Sequence, residues 1–137
     1  MKIKLFDDLC LPEKKSATAA AYDVKASKQI TVRSRETKIV PLGFAVELAV
    51  YQYMEIRPRS GLSASGIQVQ LGTVDSDYRG EVCAIVFNAT DTAFTINKHD
   101  RIAQAIIKDI APNVRFEITD DLSETERGNK GFGSTGV

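Results

Sequence analysis

Apolar runs in this chain are short, and nearly every one ends in turn chemistry. Runs rich in β-branched and aromatic residues recur at KIKLF (2–6), QITV (29–32), KIVPLGFAVEL (38–48), YMEIRPRS (53–60), GIQVQLGTVD (66–75), EVCAIVFNAT (81–90), AFTIN (93–97) and VRFEIT (114–119). Such residues suit a pleated, half-buried surface. Pro41-Leu42-Gly43, Asp77-Tyr78-Arg79-Gly80 and Asn97-Lys98-His99-Asp100 punctuate them. Many short strands at this spacing predict an all-β sandwich, jelly roll or barrel. RIAQAIIKDI (101–110) is ambiguous, because Ile102, Ile106 and Ile110 repeat at helical spacing. Isoleucine is β-prone and no clean N-cap precedes the segment, so it reads as a strand. SGLSASG (60–66) has room for one helical turn. No internal repeat is visible.

A chain of 137 residues fits one domain and buries a core without disulfides or metals. Its 18 basic and 18 acidic residues cancel. That balance argues against binding nucleic acid through bulk charge. It leaves room for a local arginine cluster that grips a phosphorylated small molecule. Two cysteines, Cys10 and Cys83, lack CxxC spacing, and His99 is the single histidine. No zinc site with normal ligand counts assembles from that inventory, and both cysteines read as reduced thiols. His99 reads as a solvated turn residue. MKIKLFDDLCLPEKK is too broken by charge for a signal peptide. No run approaches the roughly 20 apolar residues of a membrane span. The expected location is cytoplasmic or nuclear.

Polar residues inside apolar surroundings need a reason beyond packing. In IRPRSGLSASG (56–66), Arg59 offers a planar donor fork for phosphate oxygens, and Ser60 and Gly61 can add backbone N–H groups. A solvated turn with surface arginines explains the same residues. In LGTVDSDYRGE (71–81), Asp77 and Gly80 suit a turn. Asp75 follows Thr73-Val74 where alternation would keep it near the core. A carboxylate there can act as a general base on water, or merely close an Asx-turn. Asp23 in AAAYDVKAS (19–27) can serve a metal directly or through water, or be a strand-edge acid. Gln104 in DRIAQAII (100–107) can bind a ligand oxygen, or be the exposed face of an amphipathic element.

The tail, RGNKGFGSTGV (127–137), lacks P-loop spacing. Its one aromatic, Phe132, stands among glycines with Ser134 and Thr135 after it, and Arg127 adds charge. An aromatic can stack on a base, and glycines let backbone N–H groups approach phosphates. A strap that orders over a ligand would look like this. The expected division is a core over 1–119, an acidic linker over 120–126 and the strap over 127–137.

These five stretches, in this order, resemble the motifs of the trimeric dUTP diphosphatases (dUTPases), over about Ala19 to Val137. The resemblance implies a jelly-roll-like β-barrel, a homotrimer with shared active sites, and magnesium as cofactor. It implies dUTP as substrate, with dUMP and pyrophosphate as products, a reaction that keeps uracil out of DNA and supplies dUMP for thymidylate synthesis. Asp75 matches the aspartate that orients the attacking water, and Tyr78 the tyrosine under the deoxyribose. Arg59, Ser60, Gly61 and Gln104 match the phosphate-binding stretches. Asp23 matches an aspartate that helps hold the metal, mainly through water. Arg127, Phe132, Gly133, Ser134 and Thr135 match the strap, whose Phe stacks on uracil. Uracil itself is expected to meet backbone around Val69 to Gly72.

The chain departs from the family pattern at Lys130, where many members have Gly, and at Val69, where many bacterial members have Asn. Ala19 to Ala21 replace frequent glycines. Alternatives are a dCTP deaminase-related enzyme on a similar fold, a nucleotide-sensing or protein-binding module on this fold, and a plain structural β-protein.

Overall fold

The run 38–48 is two strands, because the chain turns a corner at Gly43. The computed structural model describes residues 1–111 and 114–129. In it, strand β4 (Thr37–Pro41) ends before Leu42, and β5 (Phe44–Glu47) begins after Gly43. Gly43 has φ of 76°, a left-handed conformation that a side chain disfavours. An added Cβ would also stand 2.8 Å from Cys10 Cβ. The corner sends the two strands to different sheets. β5 pairs with β1 (Lys2–Leu5), whereas β4 pairs with β9 (Cys83–Asn88).

The run 66–75 divides in the same way. β7 (Ile67–Val69) joins β9, and β8 (Gly72–Val74) joins β6 (Gln52–Pro58). The remaining strands are β2 (Tyr22–Lys25), β3 (Ile30–Val32), β10 (Phe94–Ile96) and β11 (Arg101–Asp109). Two larger antiparallel sheets result, ordered β2-β11-β6-β8 and β4-β9-β7, with the pairs β1-β5 and β3-β10 beside them. Alternate residues of these strands meet in one core that includes Val24, Val40, Phe44, Ile56, Val86 and Ile96. The architecture is the expected all-β, jelly-roll-like barrel. Among the described residues, helix is confined to a 3-10 turn at Asp8–Cys10 and α1 (Ser60–Ala64), which takes the place foreseen for a helical turn.

The segment 101–110 is a strand. Its helical spacing is resolved by a bulge between Arg101 and Ala103. Ile102 and Ala103 are therefore both buried, and Ala105 follows on the same side as Ala103. VRFEIT is not a strand. Among the described residues, 114–119 forms no ladder, and Phe116 and Ile118 are 99% and 100% exposed. Its composition favours a strand, but none of the described strands reaches it, and an extended segment without a partner leaves its backbone to water.

Candidate active site

The cross-strand register places Asp23 of β2 opposite Gln104 of β11, and Gln104 opposite Arg57 of β6. Asp23 is only 6% exposed, so its charge needs partners. It has three. Arg101 Nη1 donates to Oδ2 at 3.1 Å, Gln104 Nε2 donates to Oδ1 at 3.3 Å, and Arg59 Nε lies 3.4 Å from Oδ1. Arg59 also donates to the backbone carbonyl of Arg101 at 2.6 Å. One buried carboxylate thus holds two guanidiniums at the end of a sheet. Both remain partly exposed, with donors left for an anion. Gln104 is half-buried and aimed at Asp23, not a plain exposed face. Ser60 and Gly61 open α1 just beyond Arg59, where the first N–H groups of a helix lack intrahelical acceptors.

A second group stands at the β8–β9 connection. A cavity of about 420 Å³ is lined by Ile56, Gly72, Asp75, Tyr78, Glu81 and Ile85, among others. Asp75 is exposed, not near the core: Val74 takes the inward position and the next residue points out. The Asp75 carbonyl accepts from the Tyr78 N–H at 3.2 Å, closing the turn. The Tyr78 hydroxyl donates to the Glu81 carbonyl at 3.1 Å. A Cβ on Gly80 would collide with the Tyr78 ring, so this glycine lets the ring lie across the turn. The Val69 side chain is buried in the core and pairs with Val86, which leaves backbone as its means of reaching a ligand. Cys83 is half-buried in the cavity wall, and burial pushes its thiol up, away from thiolate character.

Two residues beyond those singled out in the sequence take part. Arg101 lies inside DRIAQ, and its signal was a charge opening an apolar strand. Glu81 ends GTVDSDYRGE. Its Oε1 accepts from the Gly43 N–H at 2.9 Å and from Ser27 Oγ at 3.4 Å, tying the cavity wall to the corner. Arg127 is exposed in the coil after the last strand. Phe132, Gly133, Ser134 and Thr135, with Lys130, lie outside the described residues.

The arginine cluster and the Asp75 cavity line different depressions of one chain. The first offers cationic donors suited to an anion, and the second an apolar recess with a carboxylate at its rim. The chain belongs to the dUTPase family, whose sequence model matches residues 7–136. It is 43% identical over 127 residues to the deoxyuridine 5'-triphosphate nucleotidohydrolase of Saccharomyces cerevisiae, covering 92% of this chain and 86% of that one. It is 42% identical to the protein of that name from Nautilia profundicola, covering 97% and 95%. The fold matches the dUTPase of Staphylococcus bacteriophage 80alpha, solved with dUpNHpp, at a TM-score of 0.89 and 24% identity, over 99% of this chain and 98% of that one. It also matches a dUTPase of phage phi11 described as coordinating a structural Mg(II) ion, at a TM-score of 0.82 and 17% identity, over 90% and 98%.

Proposed function

We infer that this chain hydrolyses dUTP to dUMP and pyrophosphate. The observation that carries the reading is the pairing of Asp23 with Arg59 and Arg101, beside a separate cavity bearing Asp75 and Tyr78. The guanidiniums bind phosphate oxygens and keep their positions because Asp23 fixes their far sides. Asp75 accepts the proton of a water directed at the α-phosphorus, from an exposed place where its carboxylate is free to do so. Tyr78 packs under the deoxyribose. Backbone from Val69 to Gly72 reads uracil, with the Val69 side chain holding that hairpin to the core.

Magnesium fits as an ion carried by the triphosphate and anchored through water. A carboxylate has about four acceptor sites, and the two arginines and Gln104 engage three on Asp23. Direct ligation would break those contacts, whereas a metal-bound water can use the remaining site. When bound, the ion spreads charge on the phosphates.

A homotrimer with shared sites is supported by two features. The arginine cluster and the Asp75 cavity are separate on one chain, and Val114, Phe116 and Ile118 are exposed with no partner strand among the described residues. A closed three-fold ring would let one subunit's cluster face another's cavity. The strap, 127–137, then covers the bound nucleotide, with Phe132 on the base and Arg127, Gly133, Ser134 and Thr135 toward the phosphates. The proposed compartment is cytoplasmic or nuclear. The test is phosphorus NMR of dUTP with magnesium and the full chain, beside a chain ending at Glu126. dUMP and pyrophosphate from the full chain alone are expected. Release of inorganic phosphate, or no reaction, would overturn the assignment.

A further inference from the structure

Counting cysteines and histidines along the sequence leaves no metal site, yet the fold brings three different donor groups together. Asp7, Cys10 and His99 each place one ligand atom within 4.8 Å of the others. Asp7 caps the 3-10 turn, with Oδ1 accepting from the Leu9 N–H at 3.1 Å. Oδ2 is left to face His99 Nε2 at 2.9 Å and Lys98 Nζ at 2.8 Å. Cys10 is fully buried at the end of that turn.

Two features of the backbone aim these groups. His99 has φ of 69°, a left-handed conformation uncommon outside glycine, and its N–H donates to the Ala26 carbonyl at 2.7 Å. The strained turn turns the imidazole back toward Asp7 instead of into solvent. Opposite, Gly43 leaves the space Cys10 occupies, since a Cβ there would stand 2.9 Å from Sγ. The N-terminal segment is fastened at this place, with the Phe6 N–H on the Gly43 carbonyl at 2.8 Å and Lys25 Nζ on the Leu9 carbonyl at 2.9 Å.

We propose that Asp7, Cys10 and His99 form a site for a thiophilic divalent ion of the zinc class, distinct from the magnesium of the nucleotide reaction. Carboxylate oxygen, thiolate and imidazole are the donors zinc takes, and three protein ligands leave a fourth place for water. Zinc bonds of about 2.0–2.3 Å set ligand atoms roughly 3.3–3.8 Å apart, so closure needs side-chain shifts of about an ångström. Magnesium, which demands oxygen ligands, is a poor match for the sulfur and nitrogen. Binding takes the Cys10 proton, releases it to solvent, and displaces the Lys98 ammonium from Asp7. The bound ion pins the N-terminal turn to the β10–β11 turn, two residues before Arg101.

Cobalt(II) tests the site, because a thiolate ligand gives it a charge-transfer band in the near ultraviolet. The full chain, stripped with EDTA and kept reduced, is titrated with cobalt chloride in saturating magnesium. A band that saturates at one ion per chain and is bleached by zinc chloride is expected. Cys10→Ser should lose the band and Cys83→Ser should keep it. Asp7→Asn retains the cap and His99→Asn tolerates the left-handed backbone, so both should fold; each should weaken cobalt binding at least tenfold. No thiolate band in the unaltered chain, a band that follows Cys83, or unchanged affinity in both Asp7→Asn and His99→Asn would overturn the proposal.

Discussion

Asp23 and Arg101 meet at 3.1 Å across adjacent strands, although 78 positions separate them in the chain. The same carboxylate reaches Arg59, so two partly exposed cations share one buried anchor. Losing the anchor frees both, and losing one arginine leaves a buried charge under-compensated.

Asp23→Asn should therefore lower kcat/KM for dUTP by about tenfold or more, which is about 1.4 kcal/mol of transition-state stabilisation. Arg101→Ala should do the same. If the three groups act as a unit, the double variant loses less than the product of the single losses. Steady-state kinetics on the four proteins decide it, and strictly multiplicative losses would show that Arg101 acts independently of Asp23.

Among the described residues, the Asp75 carboxylate has no hydrogen-bond or ion-pair partner on which the fold depends. Asp75→Asn is expected to keep the melting temperature and lose about 10² to 10⁴ in kcat. Near-normal single-turnover hydrolysis by that variant would remove Asp75 from the role of base.

Tyr78 is fixed over Gly80 by its bond to the Glu81 carbonyl. An apolar pocket alone rejects an added hydroxyl only modestly, on the order of 10²-fold, so a ring placed against the sugar is needed to do better. Tyr78→Ala should narrow the ratio of kcat/KM between dUTP and UTP. A ratio that does not move would place the sugar elsewhere.

Glu55 is a nearly buried acid on β6, held by Lys108 Nζ at 3.0 Å and the Tyr53 hydroxyl at 3.1 Å. Lys108 chiefly holds its carboxyl below the ordinary value of 4.5, with burial opposing. A depressed carboxylate contributes its full stability above that ordinary value and loses it as pH falls toward the lowered one. Urea midpoints should thus decline in the unaltered protein below about pH 4.5, and Glu55→Gln should start lower and decline less. Parallel curves for the two proteins would count against the linkage.

Much of this was legible in the residues. Short β-prone runs between turn signals gave the all-β class, the polar residues that broke those runs drew attention to Asp23, Arg59, Asp75 and Gln104, and the family resemblance added Tyr78. What alternation could not supply was direction and partner. It pointed Asp75 inward because its phase was off by one residue: Val74 is the position that faces the core. It made VRFEIT a strand because composition records propensity and not the presence of a neighbour. Arg101 was not singled out, since its meeting with Asp23 depends on a register set by the β2–β11 ladder. His99 looked solvated for the same reason: its partner, Asp7, lies 92 positions away.

The corner at Gly43 and its counterpart between β7 and β8 bear on how the chain reaches this state. Each corner makes one stretch of sequence a member of two sheets, so neither sheet can be completed while the other is open. β2 waits for β11, and β3 for β10, from the far half of the chain. Distant segments must find one another before much burial is gained, which is the signature of slow folding, on the order of milliseconds to seconds for such topologies. A ribosome-bound chain that lacks β11 has no central strand for its four-stranded sheet, so the nascent protein gains its barrel only after β11 has been made.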